Sequence, residues 1–277
     1  MDLSLFQILL VMFVAYVAEL IDSSIGMLYG TLVSAFLIAL NFPPLIVIPA
    51  VLASQTVGCL VATKQNHKLK KLEFKFHFPE SRSLFFKEIR EKGILRVIIN
   101  GASEDLKIGM LSIIFGGFFT FLGVLLAINI SDLAIKTWVG SVDVLLGSLL
   151  VANISFNFSF LQIAILSLIG AFADALGGGG FGVIMTSSQL VGGRQFKKSV
   201  AITALTSTFL GIISFSAYWL LNGIADWEII FFLCYGSFWG AKAGTRISKD
   251  KKLQKWKRYL GGLIIFLGFL ILIQTWL

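Results

Sequence analysis

Charge is what this chain has least of: 14% of its 277 residues are Asp, Glu, Lys or Arg, where a soluble domain carries about 25%. Cysteine and histidine are nearly missing as well, at two residues each. Cys59 and Cys234 lie far apart, each inside an apolar run, which excludes a disulfide framework and a cysteine metal site. His67 and His77 lie outside the apolar runs, excluding an intramembrane histidine relay, a zinc protease site and a Ser-His dyad. What is present is apolar length. The chain is 57% hydrophobic, holds 26 Phe and has a mean hydropathy of +0.88. Runs of about twenty apolar residues recur from end to end, so the chain reads as an all-α polytopic membrane protein rather than a soluble enzyme. No cofactor, metal or nucleic-acid partner is called for, and nothing in the chain fixes an oligomeric state.

Ten apolar segments are expected, at 3–21, 27–40, 45–63, 108–128, 133–152, 160–173, 181–191, 199–221, 227–247 and 259–277. The second and seventh are too short to cross a hydrocarbon core of about 30 Å at about 1.5 Å per residue, which suggests half-helices. No cleavable signal peptide is expected, because the N-terminus lacks a basic region.

Of the 23 Lys and Arg residues, 21 fall in three stretches: Lys64 to Lys107, Arg194 to Lys198, and Arg246 to Arg258. An even number of segments separates each stretch from the next, so one face can hold all three, and the positive-inside rule makes that face cytoplasmic. Both termini are then expected outside, with Trp138, Trp219, Trp227 and Trp276 near the outer boundary of a cell membrane. The net charge of +8 is thereby an orientation signal. Within the basic stretch, residues 72–100 read either as a small β-α-β insertion or as an interfacial basic helix with solvated flanks.

The chain also matches itself. At an offset of 152, Asp22 lies over Asp174, Gly26 over Gly178 and Gly30 over Gly182, and without a gap Ser54 meets Thr206 and Thr56 meets Thr208. A weaker match at offset 121 pairs Gly140 with Gly261 and Gly147 with Gly268. The expected division is 1–63 with 108–152 as a first repeat, 64–107 as a cytoplasmic basic insertion, and 153–277 as a second repeat. Each repeat holds five segments, an odd number, so the two are expected to be inverted, with broken or re-entrant helices meeting at the midplane as in secondary transporters.

Ile21-Asp-Ser-Ser-Ile-Gly26, Ala173-Asp-Ala-Leu-Gly-Gly-Gly-Gly180, Lys197-Lys-Ser-Val-Ala201 through Ser207, and Gly240-Ala-Lys-Ala-Gly244 together resemble the TauE/SafE family of sulfite and organosulfonate exporters. The resemblance covers both halves, and only 72–100 looks foreign to it. It implies a transporter of sulfur-containing anions or small organic acids. The first repeat departs from the family's glycine-rich form, having Ser23-Ser24-Ile25-Gly26-Met27.

Glycines Gly177, Gly178, Gly179 and Gly180 sit where backbone is tolerated only if it is buried in protein or lines a cavity. The half-helix starting near Phe181 would aim free amides and a positive dipole end at an anion, and Ser24, Gly26 and Met27 are the first-half counterpart. Helix packing is the competing reading of these glycines, and the expected one for Gly236, Gly240 and Gly244. Asp22 and Asp174 are candidate proton-coupling groups, since an acid at the bilayer centre costs about 2.5–3.5 kcal/mol; the competing role is capping the following half-helix. Glu19, one turn before Asp22, is a third coupling candidate. Asp143, without an acidic counterpart, reads as a polar packing contact. Ser54, Gln55, Thr56, Thr206, Ser207 and Thr208 are candidate donors to substrate oxygens, or hydroxyls bonded to their own helix. Lys242 reads as snorkelling to the interface.

Two other classes compete with an anion carrier. An Asp pair at broken helices also suits a Na⁺ or Ca²⁺ exchanger. An intramembrane aspartyl protease is the remoter reading, because Asp174 precedes its glycines instead of following them.

Overall fold

The computed structural model describes residues 4–69, 71, 90, 103–152, 160–191, 193–223, 226–247 and 257–277. These form ten helices and, among the described residues, no strand: α1 (Leu5–Ile25), α2 (Tyr29–Ala39), α3 (Pro44–Lys68), α4 (Glu104–Ala127), α5 (Asp132–Ala152), α6 (Phe160–Gly177), α7 (Phe181–Val191), α8 (Phe196–Asn222), α9 (Trp227–Ile247) and α10 (Lys257–Trp276). Six of them, α1, α3, α4, α5, α8 and α10, are long and apolar enough to cross a membrane. The protein is an all-helical polytopic membrane protein. The β-α-β or interfacial-helix reading of 72–100 lies outside the described residues.

Local sequence explains where the helices stop and start. Ser4 and Gln7 form a reciprocal capping box at the start of α1. Pro44 opens α3, where its missing amide costs nothing, and Gly223, at φ +73°, follows the end of α8. At 11 residues each, α2 and α7 span about 16 Å, half the hydrocarbon thickness. They are buried at the centre, where Met27, Tyr29 and Phe181 are fully enclosed. Exposed Phe, Leu and Ile side chains cover the outward faces of the long helices, as lipid contact requires.

Packing repeats across the two halves. α1 packs on α9 as α6 packs on α4; α3 packs on α9 as α8 packs on α4; α2 follows α1 and touches α3 as α7 follows α6 and touches α8. Two pairs bring equivalent helices together, α3 with α8 and α5 with α10. In the second of these, a Cβ on Gly140 would lie 2.9 Å from Gly268 O, and one on Gly147 would lie 2.7 Å from Gly261 O. Numbers rise along one helix as they fall along the other, so α5 and α10 cross antiparallel. The main departure from the pattern is the contact of α2 with α10.

α1 and α9 run parallel in close contact. Gly236, Gly240 and Gly244 leave room for the Met12, Tyr16 and Leu20 carbonyls, and a Cβ on each would also stand 2.9 Å from Ala15, Glu19 and Ser23 Cβ respectively. Small residues every four positions let two backbones meet in this way, so the packing reading of these glycines holds. Gly240→Leu is expected to lower stability by about 3 kcal/mol through overpacking, measured by denaturant unfolding in detergent. Gly262→Leu, where nothing lies within 4 Å, should be close to neutral.

Candidate functional site

Two interrupted helices form the centre of the protein, and both interruptions are built alike. α1 ends where Gly26 takes a left-handed φ of +77° and its amide closes on Asp22 O; α6 ends at Gly178, φ +74°, whose amide closes on Asp174 O at 2.7 Å. Two residues further on, Leu28 at +99° and Gly180 at +125° are left-handed again. Tyr29 and Phe181 then open the half-helices. Asp22 Oδ1 accepts the Tyr29 amide at 3.2 Å, and Asp174 Oδ1 accepts the Phe181 amide at 3.4 Å. Each carboxylate, in the last turn of one helix, caps the first amide of the next across the gap.

Beyond the cap, the first turn of each half-helix keeps two free amides. Leu32 N and Ile184 N already reach Leu28 O and Gly180 O, which leaves Gly30 and Thr31 in α2, and Gly182 and Val183 in α7, without a backbone acceptor among the described residues. The two interruptions touch. A Cβ on Gly179 would stand 2.6 Å from Thr31 Cα and 2.7 Å from the Gly30 carbonyl carbon, and one on Gly182 would stand 3.2 Å from Met27 Cα. A Cβ on Gly30 would overlap Gly178 O and lie 2.9 Å from Gln55 Oε1. Each half-helix start therefore rests on the opposite interruption, and glycine is what permits the approach.

The sequence candidates separate into those at this junction and those beside it. Asp22, Gly26, Met27, Gln55 and the Gly178 to Gly180 run are brought together. Gly177 faces Trp138 instead, with a Cβ position 3.2 Å from its indole. Ser24 donates to Leu20 O at 2.6 Å and Gly244 O at 3.0 Å, tying α1 to α9. Ser54, Thr56, Thr206 and Thr208 bond carbonyls of their own helices at 2.7–3.0 Å, the local alternative for a hydroxyl in a helix. Ser207 is buried near Cys59.

Glu19 is fully buried between α1, α3 and α9, not at the junction. Its Oε1 accepts from Ser23 Oγ at 2.7 Å and its Oε2 from Ser237 Oγ at 3.3 Å, in space left by Gly58. Asp143 is buried on α5, and its Oδ2 has no hydrogen-bond partner among the described residues. Lys242 sits 4.8 Å over the Trp239 ring, a cation–π contact consistent with an interfacial lysine. Trp219 and Trp227 meet edge to face at 6.1 Å, and Trp276 donates to Thr137 Oγ1 at 3.2 Å. Trp138 differs from these three, because its indole nitrogen is buried beside the second interruption.

Several junction residues carry no sequence signal of their own. Thr186, on α7, donates to Gly26 O and accepts from Thr203 Oγ1 at 2.9 Å, while Ser34, on α2, packs against Gly178 and donates to Gly30 O at 2.7 Å. The pair lies at the same offset of 152 as the two Asp residues, inside the gapless match that runs on to Ser54 and Thr206, and a Ser over a Thr is the one signal that could have found it. Tyr29 OH donates to Ser54 Oγ at 2.7 Å, and Ser237 Oγ reaches both Ser54 O at 2.8 Å and Glu19. Phe181, the counterpart of Tyr29, has no hydroxyl to do the same.

The family described as sulfite exporter TauE/SafE matches residues 93–271, which include the second interruption. A Bacillus subtilis (strain 168) protein named "Probable membrane transporter protein YtnM" is 23% identical over 279 residues, covering 96% of this chain and 82% of its own length. That alignment reaches across the first half as well. No solved structure matches. With the matched span holding the Asp174 to Gly180 interruption, the chain belongs to the sulfite exporter TauE/SafE family of membrane transporters.

Proposed function

We propose that the protein is a secondary carrier of a small sulfur-containing anion, sulfite or a sulfonate, with protons as the coupling ion. The observation that carries this is the pair of half-helix starts, each with two free amides and a capping carboxylate. Free amides and the positive dipole end bind an oxyanion without a basic side chain. A charged carboxylate on the neighbouring amide repels that anion, and a protonated one does not. Proton uptake by Asp22 or Asp174 and anion binding therefore favour each other. Glu19, which feels the Asp22 charge, is coupled to the first of these from the α1–α9 interface.

The two halves, residues 1–63 with 108–152 and residues 153–277, act as inverted repeats, with the cytoplasmic basic stretch 64–107 inserted within the first. Equivalent helices that cross antiparallel, α5 and α10, are related by an axis lying across them, which supports inversion rather than parallel repetition. The basic stretches face the cytoplasm of a cell-membrane protein, and both termini lie outside. Trp219, Trp227 and Trp276, grouped at one end of the helices, support that face as the outer one.

A thermal-stability screen of the purified chain with sulfite, sulfonates, thiosulfate and carboxylates tests the substrate class. A ligand at about 100 times its Kd adds about 2.7 kcal/mol, so sulfite or a sulfonate should raise the Tm measurably. No response to any sulfur anion, together with stabilisation by Na⁺ or Ca²⁺ alone, would overturn the reading in favour of a cation exchanger.

A further inference from the structure

Gln55 is 6% exposed on α3, and its side chain sits in a contradiction. The amide stands within interacting range of the Asp174 carboxylate. A charged carboxylate only accepts, so the amide nitrogen must face it. The amide oxygen is then turned toward the second interruption, where Oε1 has no hydrogen-bond partner among the described residues. What it meets there is another acceptor: Oε1 and Gly178 O both crowd the open side of Gly30, Oε1 lying 2.9 Å from the Cβ position. No backbone donor reaches Gly178 O among the described residues. A carboxylate, an amide oxygen and a carbonyl thus share one buried corner, and the free Gly30 and Thr31 amides beside it reach neither the amide oxygen nor the carbonyl, an expensive arrangement in a low-dielectric interior.

One proton removes the conflict. If Asp174 is protonated, its hydroxyl can donate to Gln55 Oε1 once the amide turns over, and the amide nitrogen then donates to Gly178 O. Two orphan acceptors gain donors, and the Phe181 amide keeps its cap on the other carboxyl oxygen. We infer that Gln55 is a proton-read latch, an amide that turns over when Asp174 takes up a proton and so ties α3 of the first half to the glycine interruption of the second. Gln55 is a positioning residue here, acting through Asp174.

The latch rests on the reading of Asp174 as a coupling carboxyl, and it adds what that proton does mechanically. Because α3 and the second interruption belong to different halves, a bond between them made only in the protonated form links proton occupancy to how the halves sit against each other. Facing ionisable groups are few. Asp22 and Cys59 lie close enough to feel the Asp174 charge. Tyr218 on α8 donates to Ala175 O at 2.9 Å, one residue from Asp174. Tyr29 on α2 and Asp132, Lys136 and Asp143 on α5 are the further ionisable groups on helices that pack against α6, whereas Glu104, Asp105 and Lys107 stand at the far end of α4 and Lys64, His67 and Lys68 at the far end of α3. No cation pairs with Asp174 among the described residues.

Thermal unfolding of the full chain in detergent, with choline chloride as the only salt, tests the latch without substrate. Stability gained by bonding the protonated form is present at acid pH and lost as pH rises. Wild type should therefore gain about 3–6 °C more in Tm than Gln55→Met on acidification. Asp174→Asn, which presents an amide donor at every pH, should exceed wild type at neutral pH, and the gain should vanish when Gln55→Met is added. Asp174→Asn alone makes the test if Gln55→Met fails to fold. Equal acid responses in wild type and Gln55→Met, or additive effects in the double variant, would overturn the latch. So would Na⁺ replacing choline and stabilising wild type but not Gln55→Met, since the orphan oxygen would then be a cation ligand. Sulfite stabilisation is read separately. Its loss with the acid response intact counts against the anion reading alone, and the reverse outcome counts against the latch alone.

Discussion

Gly179→Ala is expected to abolish transport and to lower stability by about 3 kcal/mol or more. The added methyl would meet Thr31 Cα at 2.6 Å and the Gly30 carbonyl carbon at 2.7 Å, both main-chain atoms at the start of α2. A side chain can rotate away from such a clash, but here the neighbour is a helix terminus held by its own hydrogen bonds. The methyl can be accommodated only by moving one interruption off the other. Gly30→Ala should behave alike, because its methyl would overlap Gly178 O. Measured as sulfite flux in proteoliposomes beside an unfolding curve, the pair should lose both properties. Near-wild-type flux in either variant would mean that the junction opens more readily than its packing allows.

Asp22→Asn and Asp174→Asn are expected to separate capping from coupling. Asparagine keeps an oxygen that can accept the Tyr29 or Phe181 amide, so the half-helix starts should survive. Alanine would lose that cap, at about 1 kcal/mol each. Asparagine cannot take up and release a proton, so a pH gradient should no longer drive sulfite flux in the double variant, and proton movement with sulfite should fall to background. Sulfite binding itself should persist, because a neutral amide does not repel an anion. If flux in the double variant kept its full pH dependence, capping would be the sole role of the two residues.

The helices were legible because apolar length is a strong signal: expected segments such as 181–191 and 227–247 coincide with α7 and α9. The interruptions were legible from Asp22, Asp174 and their glycines, which match at one offset. The first interruption was obscured by its residues. Leu28 takes the left-handed conformation that Gly180 takes in the second half, and only its surroundings, which bury it completely, impose that on a leucine. The partners of the junction were harder still. Thr186 and Ser34 look like ordinary helix residues, and they matter because each reaches the interruption of the other half, a contact 160 residues away for Thr186 and Gly26. Gln55 was legible as a polar residue at the right depth, but its orphan oxygen is a property of three converging elements. Hydroxyls such as Thr56 and Thr208 showed the opposite, being satisfied within their own helices.

Tyr29 and Phe181 occupy matching positions, and the difference between them is one hydroxyl. Through it the first interruption joins a network of Ser54, Ser237 and Glu19 that ends in the α1–α9 contact, while the second is held by packing, its aspartate cap and a single bond from Tyr218 OH to Ala175 O. Two rockers cut to one outline are thus hung differently, and on the proposed inverted-repeat reading, inward and outward openings that match in topology need not cost the same.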